Sequence, residues 1–265
     1  MKILVTFAVD AEFGPWRKRH KFTRTRVGNM NCFSGTVGGI EADVLITGIG
    51  SRSESSAMAF FIMQSAPGQE YDACVSSGLT GALRSGHVIG EILAASRVIV
   101  KANSRESAST NGITANEALL RWAGECGATI GGPFLTVDHI VATVAEKLDL
   151  SGMAQAVEME SYHVLQAACV FGVRRIAIRA VSDLATEELP LDLGLLVDER
   201  GTVKIGAVVR QVLRRPMAIP ALVRLGWNSQ KSARSLARFL DKYFEKMSAF
   251  RLQVDASRVP IGTTT

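Results

Sequence analysis

The stretch from Ala156 to Asp183 constrains this chain more than any other: AVEMES, a helical run, then RRIAIRAVSD. Met159 to Phe171 is apolar or small at helical spacing and is closed by Gly172, the residue that best tolerates a left-handed cap. Arg175 to Val181 follows as a β-rich run, with Ile176, Ile178 and Val181, and ends on Ser182 and Asp183. A carboxylate just past the end of a buried strand lies where open α/β sheets bind their ligands. Glu160 and Asp183, delivered from consecutive elements, predict a site.

The rest of the chain repeats the alternation of strand and helix. Lys2 to Val9 is nearly continuous in apolar residues and predicts a central strand bounded by Asp10, Ala11 and Glu12. Further strands are expected over Ile40 to Thr47, Asp72 to Ser76, Glu91 to Lys101 and Phe134 to Val137. Helices are expected from Ser51 to about Ser65 and from Thr114 to near Gly127, each opened by a capping-box spacing. A helix from Val203 to Leu213 stops at Pro216, and Pro220 opens a last one to about Met247, with Gly226-Trp227-Asn228 as its weak point. Gly78 to Leu83, Ser104 to Asn111, the segment carrying Asp138 and His139, and Ala185 to Leu196 read as loops, and Arg258 to Thr265 as a tail. Over 265 residues this pattern predicts one α/β domain with a mainly parallel sheet covered on both faces.

Composition excludes several classes. Hydrophobic residues make up 47% and charged ones 21%, as in a soluble globular enzyme. Ile3 to Val9 is too short to cross a bilayer and no small-residue cleavage site follows it. Cys32, Cys74, Cys126 and Cys169 show no metal or redox spacing, which predicts a reduced, cytoplasmic chain. His139 and His163 lack a second ligand at useful spacing, so no metal is expected. Gly48-Ile49-Gly50 lacks the third glycine of a dinucleotide loop. The net charge of +5 belongs to the C-terminal segment: between Val203 and Arg251, eleven Lys and Arg face only Asp241 and Glu245. There Leu236, Phe239, Leu240, Tyr243, Phe244 and Met247 form an apolar stripe opposite Arg234, Arg238, Lys242 and Lys246. Without aromatic interleaving, that basic face does not predict nucleic-acid binding.

At Glu12, Gly48-Ile49-Gly50, Gly78-x-x-Gly81, Val157-Glu158-Met159-Glu160 and Arg179-Ala-Val-Ser-Asp183, the chain resembles the purine and uridine phosphorylase superfamily. It is nearest to the 5′-methylthioadenosine/S-adenosylhomocysteine nucleosidase branch, and the likeness covers roughly residues 1 to 213. The resemblance implies a nucleoside phosphorylase-like fold: a three-layer αβα sandwich around a mixed, partly barrel-like sheet. It implies an enzyme that cleaves the N-glycosidic bond of a purine nucleoside through a ribosyl cation, without metal or organic cofactor. By match, Asp183 is the general acid at the purine N7, supported by Ser182, and Glu12 takes a proton from the attacking water. Glu160 accepts from the ribose hydroxyls and Met159 packs on the sugar. Thr80, Gly81, Ile49, Ile140, Val157 and Glu158 complete the substrate-binding set, with Glu158 on its structural side. Ile140 stands where the family has a base-stacking aromatic, with His139 as the alternative. Ile49 and the Ala57, Phe60 and Phe61 region imply an apolar 5′ group.

Ser76 occupies the position of the phosphorylases' arginine, so phosphate, if it is a co-substrate, needs Arg52 and Thr80. Water leads as nucleophile, with a phosphate-dependent phosphorylase as the alternative. A non-catalytic nucleoside-binding protein recruited to membranes is the alternative of another class. Residues 214–265 form a basic amphipathic extension. With Met159-Glu160-Ser161 and the Arg214-Arg215-Pro216 to Pro220-Ala221-Leu222 run, they are similar to the hopanoid-associated phosphorylase subgroup, linked to an adenosylated triterpenoid lipid. Such a helix over residues 217–247 predicts contact with an anionic membrane surface. The family further implies a homo-oligomer, dimer or trimer.

Overall fold

The strand β1 (Lys2–Phe7) sends Ile3, Val5 and Phe7 to one face of a sheet and Leu4 to the other, all buried. A computed structural model describes residues 1–27, 30–50, 70–100, 112–190 and 219–257. The expected helices over 51–65 and 203–213, Arg52, the Ala57 to Phe61 region, the 104–111 loop and the tail lie outside the described residues. After β1 come α1 (Asp10–Arg17), β2 (Phe22–Val27), β3 (Met30–Val37), β4 (Ile40–Ile46), β5 (Ala73–Ala82), β6 (Ile92–Ala95), β7 (Arg97–Val100) and β8 (Ile113–Thr114). The chain continues with α2 (Glu117–Glu125), β9 (Thr129–Gly131), β10 (Phe134–Thr136), α3 (Val144–Leu150), β11 (Ala156–Glu158), α4 (Ser161–Val170), β12 (Arg174–Asp183) and α5 (Ile219–Ser257).

These strands form one sheet in the order β2-β3-β4-β1-β5-β11-β10-β7-β8, with β12 beside β5 and β6, and β9 on β6. β5 is the branch point. Its first half pairs in parallel with β1, Ala73 to Gly81 pairs with β12, and Gly81 and Ala82 meet β11 antiparallel. The sheet is therefore mixed, as the family resemblance implies, and not the mainly parallel one that alternation alone suggests. The antiparallel part comes from the β2–β3–β4 meander and from the β12–β6, β7–β8 and β11–β5 pairs.

Two apolar layers sandwich the sheet. One buries Ile3, Val5, Phe7, Ile176, Ile178 and Ala180 under α1, α2 and α5; the other buries Leu4, Cys74, Ala177 and Val181 under α4. The architecture is the three-layer α/β/α arrangement. The stripe Leu236, Phe239, Leu240, Tyr243, Phe244 and Met247 is part of the first layer, so α5 packs on its own domain. Asp241 of α5 accepts from Trp16 Nε1 (2.9 Å) and from Arg19 (2.5 Å) and lies 2.7 Å from His20 Nε2. Ser232 donates to Val181 O at 2.5 Å.

Several local expectations are corrected. Gly78 to Ala82 continues β5 as strand, because β12 and β11 supply ladder partners that a linear reading cannot see. Glu91 to Lys101 splits at Ser96 into β6 and β7, which pair with different neighbours. Thr114 lies in β8, and the cap of α2 is Asn116, whose side chain accepts from Leu119 N at 3.2 Å. Gly226 does not interrupt α5, a single helix of 39 residues. Since Phe244 is fully buried at the centre of the first layer, Phe244→Ala is expected to cost about 3–5 kcal/mol in urea unfolding; a peripheral tail would lose under about 1 kcal/mol.

Candidate active site

Arg179 is an arginine inside an apolar strand, and its surroundings explain it. With Ala177 and Val181 it faces α4, and it is 1% exposed. Its Nη2 donates to Glu158 Oε2 (2.5 Å), Ser161 Oγ (2.9 Å) and Glu160 Oε2 (3.5 Å), and Nη1 donates to Ser77 O (2.9 Å). A charge so buried is tolerated only when paired and hydrogen-bonded. Glu158 is the main partner. It also accepts from Glu160 N (3.1 Å), Ser161 N (2.7 Å) and the Thr136 hydroxyl, and so closes the exposed N-terminus of α4. Oε2 takes three of these donors and Oε1 the Thr136 hydroxyl, so most of the carboxylate's acceptor capacity is committed to the protein's own groups. It positions its neighbour.

Glu160, the N-cap residue of α4, uses neither oxygen for capping. Oε1 accepts from Gly50 N at 3.1 Å, which brings the Gly48-Ile49-Gly50 turn to the site. Burial pushes its carboxyl up to about 8; Arg179 opposes the rise, and the Glu158 and Glu12 charges add to it. Glu12 is the third residue of α1 and accepts from Ala8 N (3.0 Å), Val9 N (3.4 Å) and Leu79 N (3.0 Å). Burial also raises its carboxyl above the ordinary range, against the pull of Arg179 and these amides. Three donors leave about one lone-pair site open. At Gly78, with φ +146°, a Cβ would run into the Arg179 guanidinium and approach both Glu12 oxygens, so only glycine lets these groups converge.

Asp183 ends β12 four residues after Arg179, opposite Gly81, which is three residues after Gly78 on β5 because the register shifts between Val181 and Asp183. Oδ1 accepts from Ser182 Oγ at 2.9 Å and Oδ2 from Lys147 Nζ at 2.6 Å. A Cβ on Gly81 would lie 2.8 Å from Oδ2 and 3.3 Å from Val157 Cγ1, so the carboxyl sits against bare backbone between β5 and β11. The Thr80 hydroxyl donates to Val157 O at 2.7 Å and is 3% exposed. Met159 Cε approaches Gly50, Ile49 is half-buried beside it, and Ile140 is half-buried on the loop leading to α3. His139 does not turn inward; it is half exposed and bridges Asp138 (2.8 Å) and Glu146 (2.6 Å).

The site thus has two ends. Glu12, Glu158 and Glu160 surround one guanidinium, and about three residues away Asp183, Ser182, Thr80, Gly81 and Val157 meet. Sequence reasoning missed two residues. Arg179 was legible as a charge at an inward position of a buried strand. Lys147 carried no such signal, because its helix looks like an ordinary amphipathic turn. Among the described residues no group of His, Cys, Asp and Glu could hold a metal ion.

The mixed sheet, the helical layers and the buried acids at the strand ends define an α/β enzyme fold of the nucleoside phosphorylase and nucleosidase type. The family described as the phosphorylase superfamily matches residues 2–214, and the chain belongs to it. A 5′-methylthioadenosine/S-adenosylhomocysteine nucleosidase of Exiguobacterium sp. is 24% identical over 234 residues, spanning 81% of this chain and 98% of that protein. The Streptococcus pneumoniae nucleosidase of the same name, solved with a transition-state inhibitor, superposes with TM-score 0.71 at 18% identity over 93% of this chain and 100% of its own. Helicobacter pylori futalosine hydrolase gives TM-score 0.69 at 21% identity over 92% and 97%.

A raised carboxyl stabilises the fold below its unfolded value and loses that contribution as pH rises through its folded value. For Glu160 the window runs from the ordinary carboxyl value of 4.5 to about 8. The wild type is therefore expected to lose melting temperature across this range relative to Glu160→Gln, and parallel melting curves for the two would contradict the assignment.

Proposed function

We propose that this enzyme cleaves the N-glycosidic bond of a purine nucleoside, with water as nucleophile and adenine as the released base. The observation that carries the reading is the arrangement at the Arg179 end, where the carboxyl groups of buried Glu158 and Glu160 and of half-buried Glu12 converge on one cation. N-glycosidic cleavage places positive charge on the ribosyl group, and fixed acids held in a water-poor site stabilise it. Glu160 accepts from the sugar hydroxyls, Met159 packs on the ring, and Glu12 takes the proton of water. A carboxyl raised towards neutrality suits a general base. Asp183 gives a proton to the purine N7, with Ser182 fixing its orientation. Gly78 to Gly81 spans roughly 10 Å of strand, a separation that a nucleoside bridges from sugar to base.

The same arrangement argues against phosphate. An anion at this end meets an acidic cluster; Thr80 spends its hydroxyl proton on Val157, and Arg179 and Lys147 are each bound to carboxylates. The substrate class within this reading is a 5′-modified adenosine, either methylthioadenosine- or S-adenosylhomocysteine-like or an adenosylated hopanoid lipid. The related nucleosidase from Exiguobacterium supports the first. The chemistry uses side chains alone, with no cofactor, in a cytoplasmic homo-oligomer.

The lipid alternative needs a membrane contact, and its support is the exposed start of α5. Ile219, Val223 and Trp227 recur every four residues at 44%, 48% and 73% exposure, beside Arg224, Lys231 and Arg234. No helix among the described residues is long and apolar enough to cross a membrane. Sedimentation with anionic vesicles at low salt is expected to capture the wild type and to lose most of that capture in Trp227→Ala; an unbound wild type refutes the contact.

Free adenine is expected from methylthioadenosine at a rate unchanged by phosphate, with the free sugar as product. Asp183→Asn is expected to lower kcat by about 10²–10⁴-fold. Formation of a sugar 1-phosphate, or full activity in the variant, overturns the assignment.

A further inference from the structure

We infer that Lys147 is a positioning residue for the reaction, holding the Asp183 carboxyl in the orientation from which it protonates the base; this rests on the general-acid reading of Asp183 above. Lys147 lies in α3, and its ammonium group has no solvent exposure. Its nitrogen donates to Asp183 Oδ2 at 2.6 Å, Leu184 O at 2.8 Å and Glu187 O at 2.9 Å, three acceptors for three N–H bonds. Among the described residues its only charged partner is Asp183, at an energetic cost that a lysine serving just to tie down a turn does not need to incur.

The carboxyl is gripped from both sides. The single Ser182 hydroxyl proton is shared between Oδ1 (2.9 Å) and the more distant Thr80 O (3.2 Å), Lys147 holds Oδ2, and Gly81 leaves room behind. The turn that follows is bound to the same unit: Leu184 N donates to Glu187 Oε2 (3.2 Å), Glu187 N to Leu184 O (3.1 Å), and Leu189 N to Ala142 O (2.9 Å) at the start of α3. α3, the 184–189 turn and Asp183 thus form one rigid piece, and Lys147 is the charged bolt through it. Lys147 forms and breaks no bond. The proton that reaches the purine nitrogen leaves the protonated form of the Asp183 carboxyl, whose remaining lone pairs accept from Ser182 and Lys147, and the lysine keeps all three of its own.

The test compares two leaving groups on the same sugar. Lys147→Met is expected to lower kcat for the purine nucleoside about 10²-fold with KM changed less than about threefold. The 4-nitrophenyl glycoside, whose phenolate departs without a proton, is expected to change less than about threefold in kcat. An equal fall on both substrates, a loss carried by KM, or no loss at all overturns the proposal. Lys147→Arg carries the same reading if the methionine variant does not fold, since a guanidinium keeps the charge but cannot place one nitrogen on three acceptors. Its selective loss in kcat for the purine substrate supports the proposal, and a loss in KM overturns it. Asp183→Asn on the same pair separates the two ideas. If it too is unselective, the general-acid reading falls; if only Lys147→Met is unselective, the lysine's role falls alone.

Discussion

One buried guanidinium organises the functional half of this molecule. Arg179 is delivered by β12 to the face covered by α4, where it is almost wholly buried. It therefore dictates what surrounds it. Glu158 neutralises it and at the same moment terminates α4; Thr136 ties that carboxylate to β10; Glu160 and Glu12 approach from the helix on each side. A network of this kind is all or nothing, because every member left without its partner is a buried polar group with nowhere to turn. The cost of assembling three acids in so little space is met by the sheet beneath them. The benefit is electrostatic preorganisation that a loop-built site could not hold as rigidly.

The two ends of the site differ in kind, and the difference follows from their cations. At one end a single arginine faces three acids, two of them raised by burial, so acidic groups outnumber cations. At the other Lys147 and Asp183 are matched one to one. A substrate that becomes cationic in its sugar and anionic in its base meets the complementary arrangement in both places. Neither end needs to move for this to hold.

Much of this was readable from the chain. The acids Glu160 and Asp183 stood out because each ends an element in a pattern whose period is plain, and the order of five short motifs pointed to the right superfamily. What resisted was whatever depends on partners distant in sequence. Gly78 to Ala82 looks like a turn because glycine is a weak strand former, yet β5 is held there by strands that lie a hundred residues away. Glu158 sits in the motif between Val157 and Met159, and its pairing with Arg179 and with the amides of Glu160 and Ser161 shows only in the folded chain. The apolar stripe of α5 is equally compatible with membrane, subunit and core, and amphipathicity alone does not choose among them.

The long C-terminal helix ties both ends of the site together. Asp241 fastens α1, the helix that carries Glu12, and Ser232 fastens Val181, two residues before Asp183. A chain still emerging from the ribosome therefore holds every residue of the acid cluster long before it holds the strut that sets them in place. Competence must arrive late in synthesis, and a nascent fragment stopped short of residue 219 carries the chemistry in its sequence without the scaffold to express it.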